Sequence, residues 1–434
     1  LCMLGGDFMA TIVNKEMFSD SLLNEIREKF HYVDWDPYTG DRVYLEASGG
    51  SLRLKSVTET LAKEVSLPDE LYRYNPASDY AVAAMEQGIE DVKLFLGAKS
   101  GQIMSANSAT QTIFRAVNAV TSHIPGNNVV TTQLDHPAVL SPTKYFADLT
   151  GKEWRVVNIA SDTGSIPIDT ILEKIDKNTC LLCLQQASNQ TGTVNDVTTI
   201  IRETRQIKPD LYVVVDAVQY APHGQIDVED IAADAYAFGP YKAYGVKGIG
   251  FAHISDRLAD LPHENLLLKA DNKWVLGSPA HALFASWTSV VDYLCWLGSH
   301  FTDSTDRREL VIASKDAIHL HMMALLDRAL NGSEEVEGLL NMDHVTVCGM
   351  EEEIVNRMCI FLFRLAGMDS PTASQRYNQS HHVRVSARVR DSYSTYPLEG
   401  LGWPDAVRLS AAHYNTPEEI DRFLKATIAL NNAK

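Results

Sequence analysis

Between about Gly101 and Ile254 the sequence repeats one pattern, a short apolar and β-branched run followed by an amphipathic stretch of helical period. The runs are Asn128–Thr132, Trp154–Asn158, Cys180–Leu184, Tyr212–Val215, Ala235–Phe238 and Gly250–Ile254. A run without in–out alternation must be buried on both faces, as in a mostly parallel sheet covered by helices. The pattern therefore predicts an α/β fold. In such sheets ligands collect beyond the carboxyl ends of the strands, so the polar residues that follow each run are the ones to inspect.

Further along, Ala280 to Leu330 reads as helices, with no glycine between Gly298 and Gly332. Met358–Leu365 and His382–Val389 read as strands again. In the second, Val383, Val385, Ala387 and Val389 alternate with Arg384, Ser386, Arg388 and Arg390, the pattern of a sheet with one wet face. Thr416-Pro417-Glu418-Glu419 is a capping box with proline at the first helical position. The expected organisation is an N-terminal segment (1–40), a large domain (41–295) and a smaller C-terminal α+β domain (296–434).

Charge and cysteine usage exclude several classes. A formal net charge of -18 argues against a nucleic-acid partner, which needs an electropositive face. No stretch reaches the roughly 18 apolar residues of a membrane span. Leu1 to Ala10 lacks the basic and apolar regions of a signal peptide. A cytoplasmic protein is expected, with Met3 or Met9 as the natural start and the preceding residues an expression remnant. Cys180 and Cys183 have C-x-x-C spacing but lie inside an apolar run, where a strand would point them to opposite faces. They are expected to be small buried hydrophobes, with no metal site.

The strongest chemical signal is Val213-Val214-Val215-Asp216-Ala217-Val218-Gln219, then Ala237-Phe238-Gly239-Pro240-Tyr241-Lys242-Ala243-Tyr244-Gly245. A carboxylate at the end of a buried strand is costly unless paired, and so is a lysine at the end of another. An Asp–Lys ion pair would answer both costs. So would a pyridoxal 5'-phosphate ring, which needs a carboxylate on its pyridine nitrogen and a lysine for its Schiff base.

These segments, with Gly224-Gln225-Ile226-Asp227-Val228 between them, resemble in order and spacing the class V aminotransferase family of fold-type I pyridoxal-phosphate enzymes, which includes cysteine desulfurases. The resemblance extends to Val43-Tyr44-Leu45-Glu46-Ala47-Ser48-Gly49-Gly50 near the start. Near the end it takes in Val407-Arg408-Leu409-Ser410 and Tyr414-Asn415-Thr416-Pro417-Glu418-Glu419-Ile420-Asp421. It implies a large domain with a mostly parallel seven-stranded sheet, Lys242 as the cofactor-bearing amine and Asp216 on the ring nitrogen. Further, it implies that Ser108, Ala109 and Thr110 bind the cofactor phosphate, as helix N-terminal amides can. Ser108 and Gln111 can equally be read as a plain capping box. The resemblance also implies that His136 stacks on the ring, that Gln219 bonds its phenolic oxygen and that Asn189 lies near cofactor and substrate. Ser278 would reach the phosphate of the other subunit in a homodimer with shared active sites, and Arg408 would hold the substrate carboxylate.

Three departures matter. Many relatives have serine and histidine where this chain has Gly239 and Tyr241, and Tyr241 is expected to take over a phosphate contact. The usual Glu-x-Gly-Thr-Pro reads Val275-Leu276-Gly277-Ser278-Pro279. Desulfurases also carry a nucleophilic cysteine in the segment corresponding to Arg384–Ser392, which here contains none, and Val389 stands about where the thiol would be. The expectation is a C–S β-lyase acting on cysteine or an S-substituted cysteine. The alternatives are an aminotransferase or amino-acid epimerase of the same class, and a non-catalytic member of the fold. The last would be favoured by loss of Lys242, Asp216 or Arg408, and all three are present.

Overall fold

The computed structural model describes residues 17–68, 71–267, 274–349 and 357–432. Leu1 to Ala10, with Cys2 and both candidate start methionines, lie outside the described residues.

The expected runs form one seven-stranded sheet together with an edge strand the sequence pattern did not mark. Its strands are β1 (Gln102–Ala106), β2 (Asn128–Thr132), β3 (Glu153–Val157), β4 (Thr179–Gln185), β5 (Tyr212–Asp216), β6 (Ala235–Phe238) and β7 (Gly250–Ile254). Their order across the sheet is β1-β7-β6-β5-β4-β2-β3, with β2 to β6 parallel and β7 antiparallel to both neighbours. Helices α1 (Lys55–Val65) and α2 (Pro76–Leu96) precede the sheet, and α3 (Ala109–His123) and α4 (Pro137–Leu149) follow its first two strands. Beyond the sheet come α5 (His281–Gly298) and α6 (Arg307–Asn331).

Burial of both faces explains the unbroken apolar runs. In β5, Val213 and Val215 join a core with α2 and α5, whereas Val214 joins a second core beneath α3 and α4. Fully burying each such side chain contributes about 1.5–3 kcal/mol. Cys180 and Cys183 are both buried in β4, but not on opposite faces as the spacing suggested. Both join the core beneath α3, because the β2–β4 pairing shifts register between Thr179 and Leu181. The Cys180 thiol donates to the Asn128 carbonyl at 3.3 Å.

A four-stranded antiparallel sheet lies later in the chain, formed by β8 (Val345–Val347), β9 (Ile360–Leu365), β10 (Ser386–Arg388) and β11 (Ala406–Ser410) in the order β8-β9-β11-β10. The single strand expected over His382–Val389 is split in two. Val383–Arg384 pairs in parallel with Val43–Tyr44, and only Ser386–Arg388 pairs with β11. Val383 and Val385 are buried as the alternation required, but Val389 lies past the last pair and is exposed. The last helix, α7 (Pro417–Asn432), opens with the capping box closed. The Glu419 amide donates to the Thr416 hydroxyl at 3.2 Å, and the Thr416 amide donates back to the Glu419 carboxylate at 3.0 Å. No described helix is long and apolar enough to cross a membrane.

Candidate active site

The carboxyl ends of β2, β4, β5 and β6 converge on one cavity. Ser108, Ala109, Thr110, His136, Asn189, Asp216, Gln219, Tyr241 and Lys242 line it, joined by Ala138, Gln185, Ala187 and Val218. It opens into a wider cleft whose walls include Ser48, Asn107, Lys247, Arg388, Tyr393 and Arg408.

The helix end comes from α3. Ser108 caps it, its hydroxyl accepting from the Gln111 amide at 3.3 Å, while the Gln111 side chain accepts from the Asn107 amide at 3.1 Å. That leaves the Ala109 and Thr110 amides at the helix end with no intrahelical acceptor. Gly250 permits this placement. A Cβ on it would stand 1.9 Å from the Ala109 nitrogen and 2.1 Å from the Ser108 carbonyl carbon.

His136 follows β2 as the N-cap of α4, its Nδ1 accepting from the Ala138 amide at 3.1 Å. Burial, then the charges of Lys242 and Arg408, push its pKa down to about 3, so the imidazole is neutral. Asp135 fixes the loop behind it, accepting from the Thr132 amide at 2.7 Å and the Gln185 amide at 2.6 Å.

Asp216 and Lys242 form the centre of the site. Asp216 ends β5 and is buried, and its carboxylate accepts from the Val218 amide at 3.0 Å. Lys242 lies in the single 3-10 turn Pro240–Lys242 just beyond β6, and its amine donates to the Gln219 side-chain oxygen at 2.8 Å. Burial raises the Asp216 pKa, against the pull of the Val218 amide and Lys242. Burial also pushes the Lys242 amine down to about 7; the Arg408 charge adds to this and Asp216 opposes it. A neutral buried amine is both a nucleophile and a base.

Arg408 projects from β11 and is only 2% exposed. One terminal nitrogen donates to the Asn189 carbonyl at 2.8 Å, and the buried Nε has no partner among the described residues. Burial foremost, then the nearby Arg388 charge, push its pKa down to about 9, with Glu46 opposing. Such a guanidinium is a ready receptor for a carboxylate.

Of the residues singled out from sequence, Ser278 alone stands apart from the cavity, exposed on the surface. Sequence reasoning missed Gln185, Asp135 and Gly250, although the strand-end rule pointed to the first two. It also missed Arg388, which lies in the segment noted for its missing thiol, and Tyr393, which directly follows it. The Tyr393 ring stands 5.7 Å from that of His136.

Comparison with known proteins places this arrangement among relatives. The family model "Aminotransferase class-V" matches residues 43–267, just over half of the chain. A cysteine desulfurase of Pectobacterium carotovorum is 27% identical over 412 residues, which cover 88% of this chain and 91% of that one. A probable cysteine desulfurase of Halobacterium salinarum is 28% identical, with 89% and 91% covered. An aminotransferase-like protein of Gibberella zeae is 26% identical, with 80% and 83% covered. Among solved structures, the apo cysteine desulfurase of Thermococcus onnurineus superposes with a TM-score of 0.80 at 20% identity, covering 95% of this chain and 98% of that one. At that identity the likeness is one of fold.

Proposed function

The chain belongs to the class-V aminotransferase family, and from that premise we propose that it is a pyridoxal-phosphate-dependent C–S β-lyase acting on cysteine or an S-substituted cysteine. The carrying observation is a cavity that gathers Lys242, Asp216 and the α3 N-terminus beside Arg408, with no cysteine among the described residues of its walls.

Pyridoxal 5'-phosphate is the cofactor of this family, and the donor set suits it. The free Ala109 and Thr110 amides suit its phosphate, with Ser108 and Tyr241 beside them. Asp216, buried and short of partners, suits its pyridine nitrogen, and the Lys242 amine suits its aldehyde. Gln219 is within reach of that amine, and neutral His136 offers an uncharged ring to lie against. When bound, the cofactor acts as an electron sink for the bonds at the substrate's α-carbon. In this reading Ser278 serves the active site of the partner subunit in a homodimer.

The chain's own residues then do the following. Arg408 holds the α-carboxylate and so fixes which bonds of the substrate face Lys242. Lys242, kept neutral by burial, takes the proton from the α-carbon. Asp216 holds a proton at the ring nitrogen. The β-substituent leaves as a thiol, and addition of water releases the remaining carbons as pyruvate and ammonia. The absence of a thiol argues against a persulfide product, since none of the described lining residues can accept the sulfur atom. The test is incubation of the cofactor-loaded enzyme with S-ethylcysteine, assaying pyruvate and ethanethiol. Equimolar release of both is expected. A keto acid that retains its sulfur, or racemised substrate, without thiol release would overturn the lyase reading in favour of aminotransferase or epimerase.

A further inference from the structure

Among the described residues, the wider cleft is lined by four basic side chains, Lys242, Lys247, Arg388 and Arg408, and by no carboxylate. The proposed chemistry employs Lys242 and Arg408. Lys247 is an exposed side chain at the rim. Arg388 is left, and it is held in place. It ends β10, where it pairs with Ala406 of β11, while Ser386 pairs with Arg408. Two residues apart on an antiparallel pair, Arg388 and Arg408 share one face of the sheet as diagonal neighbours, at the roughly 7–8 Å spacing of such positions.

Like charges on one sheet face destabilise it unless something stands between them. Arg388 is among the causes that depress the Arg408 pKa. The relief within the chain is partial. Arg388 donates through Nε to the Ser394 hydroxyl at 3.0 Å and through one terminal nitrogen to Asp391, a long contact of 3.4 Å to a partly exposed carboxylate. At Arg408 the carboxylates of Glu46 and Asp391 oppose that depression. The other terminal nitrogen of Arg388 has no partner among the described residues. Ser394 and Asp391 thus orient a largely buried guanidinium, its side chain 13% exposed, toward a cleft that already holds a carboxylate receptor.

We infer that Arg388 is a specificity-determining residue that binds an anionic group at the far end of the substrate side chain, so that the preferred substrates are amino acids carrying a second acid, such as an S-carboxymethyl or S-sulfo cysteine. The inference rests on Arg408 holding the α-carboxylate. One acid on each arginine would neutralise the diagonal pair, and a neutral side chain would leave the second terminal nitrogen of Arg388 unanswered in the cleft.

Unreactive probes test this apart from turnover. Binding of succinate and of butyrate is measured by calorimetry on the full-length holoenzyme, wild type beside Arg388→Gln and Arg388→Lys. Succinate should bind wild type about 10- to 100-fold tighter than butyrate, the ratio expected of one charge-assisted contact. The ratio should collapse toward one in Arg388→Gln and be intermediate in Arg388→Lys, which keeps the charge but not the fork. Circular dichroism confirms that the variants fold. Equal binding of the two probes by wild type, or a ratio that Arg388→Gln leaves intact, would overturn the inference. The visible absorption of the same samples reports the cofactor separately. A colourless protein that still prefers succinate refutes the cofactor reading and leaves the anion site standing.

Discussion

Two buried carboxylates sit at opposite ends of adjacent strands, and their surroundings differ in kind. Asp234, just before β6, is 1% exposed, and donors surround it. Arg257 reaches it with two nitrogens at 2.5 and 2.6 Å, Arg205 at 3.0 Å, the Ser255 hydroxyl at 2.9 Å and the Val213 amide at 2.8 Å. Asp216, at the far end of β5, is 4% exposed and receives one hydrogen bond, from the Val218 amide. A buried carboxylate has about four acceptor sites, so Asp234 is saturated and Asp216 is not. A carboxylate kept for stability is closed by the chain itself, whereas one kept for chemistry is left open to a visitor.

The sharpest way to break this comparison is to remove the groups at the open end. Lys242→Ala should abolish both the visible absorption band that appears with pyridoxal phosphate and all turnover, while circular dichroism shows the fold retained. A folded variant that still binds the cofactor and turns over would place the chemistry elsewhere. The carboxylates should then separate cleanly. Asp216→Asn is expected to lower turnover about 10²–10⁴-fold, the range of a proton-holding group, with thermal stability unchanged or raised because an under-bonded buried charge is lost. Asp234→Ala should do the reverse, costing about 3 kcal/mol because the Val213 amide and the Ser255 hydroxyl lose their acceptor and Arg205 and Arg257 lose their counter-charge, with activity per folded molecule kept. If both variants lose stability alike, the contrast between the two ends is only apparent.

A pH series sharpens the same point at smaller scale. Burial, reinforced by Arg408, pushes Lys242 down to about 7. Below that value the amine holds a proton and cannot attack the cofactor's aldehyde, and above it the amine is free. The rate at which the visible band forms on mixing apoprotein with pyridoxal phosphate should therefore rise about tenfold per pH unit up to about 7 and then level off. An ordinary exposed lysine would keep rising to about 10, so a profile still climbing at pH 9 would show that the site does not tune its lysine.

The sequence made one end of the sheet far more legible than the other. Continuous apolar runs such as Tyr212–Val215 announce strands buried on both faces, and Asp216 and Lys242 could be found because strand ends are fixed points in the chain. Edge strand β1 escaped notice, since Gln102–Ala106 is only half-buried and mixes polar with apolar residues. The split at Val385 was hidden for a different reason. Alternation in a sequence records which face is wet but not which strand is the neighbour, and there the chain passes from one partner to another. Arg388 was visible only as the polar half of that alternation. Its meaning depends on lying diagonal to Arg408, a long-range fact. The saturation of Asp234 was likewise unreadable, because its donors come from three separate segments.

The same contrast recurs at two helix ends, where the smallest effect is expected. At α7 the box is closed, with Thr416 and Glu419 each satisfying the other's amide. At α3 the Ser108 cap leaves two amides over for an anion. Thr416→Ala should therefore cost about 1 kcal/mol, the usual worth of a cap, seen as a melting temperature lower by about 2 °C, with pyridoxal-phosphate affinity untouched. Ser108→Ala removes a cap of similar worth, but the α3 end also faces the cavity, so this change takes away a phosphate contact too, and added cofactor should stabilise it less than Thr416→Ala. Melting both variants with and without the cofactor decides the matter. If added cofactor stabilises Ser108→Ala as much as Thr416→Ala, the α3 end is only another capped helix, and the phosphate must be sought elsewhere in the cavity.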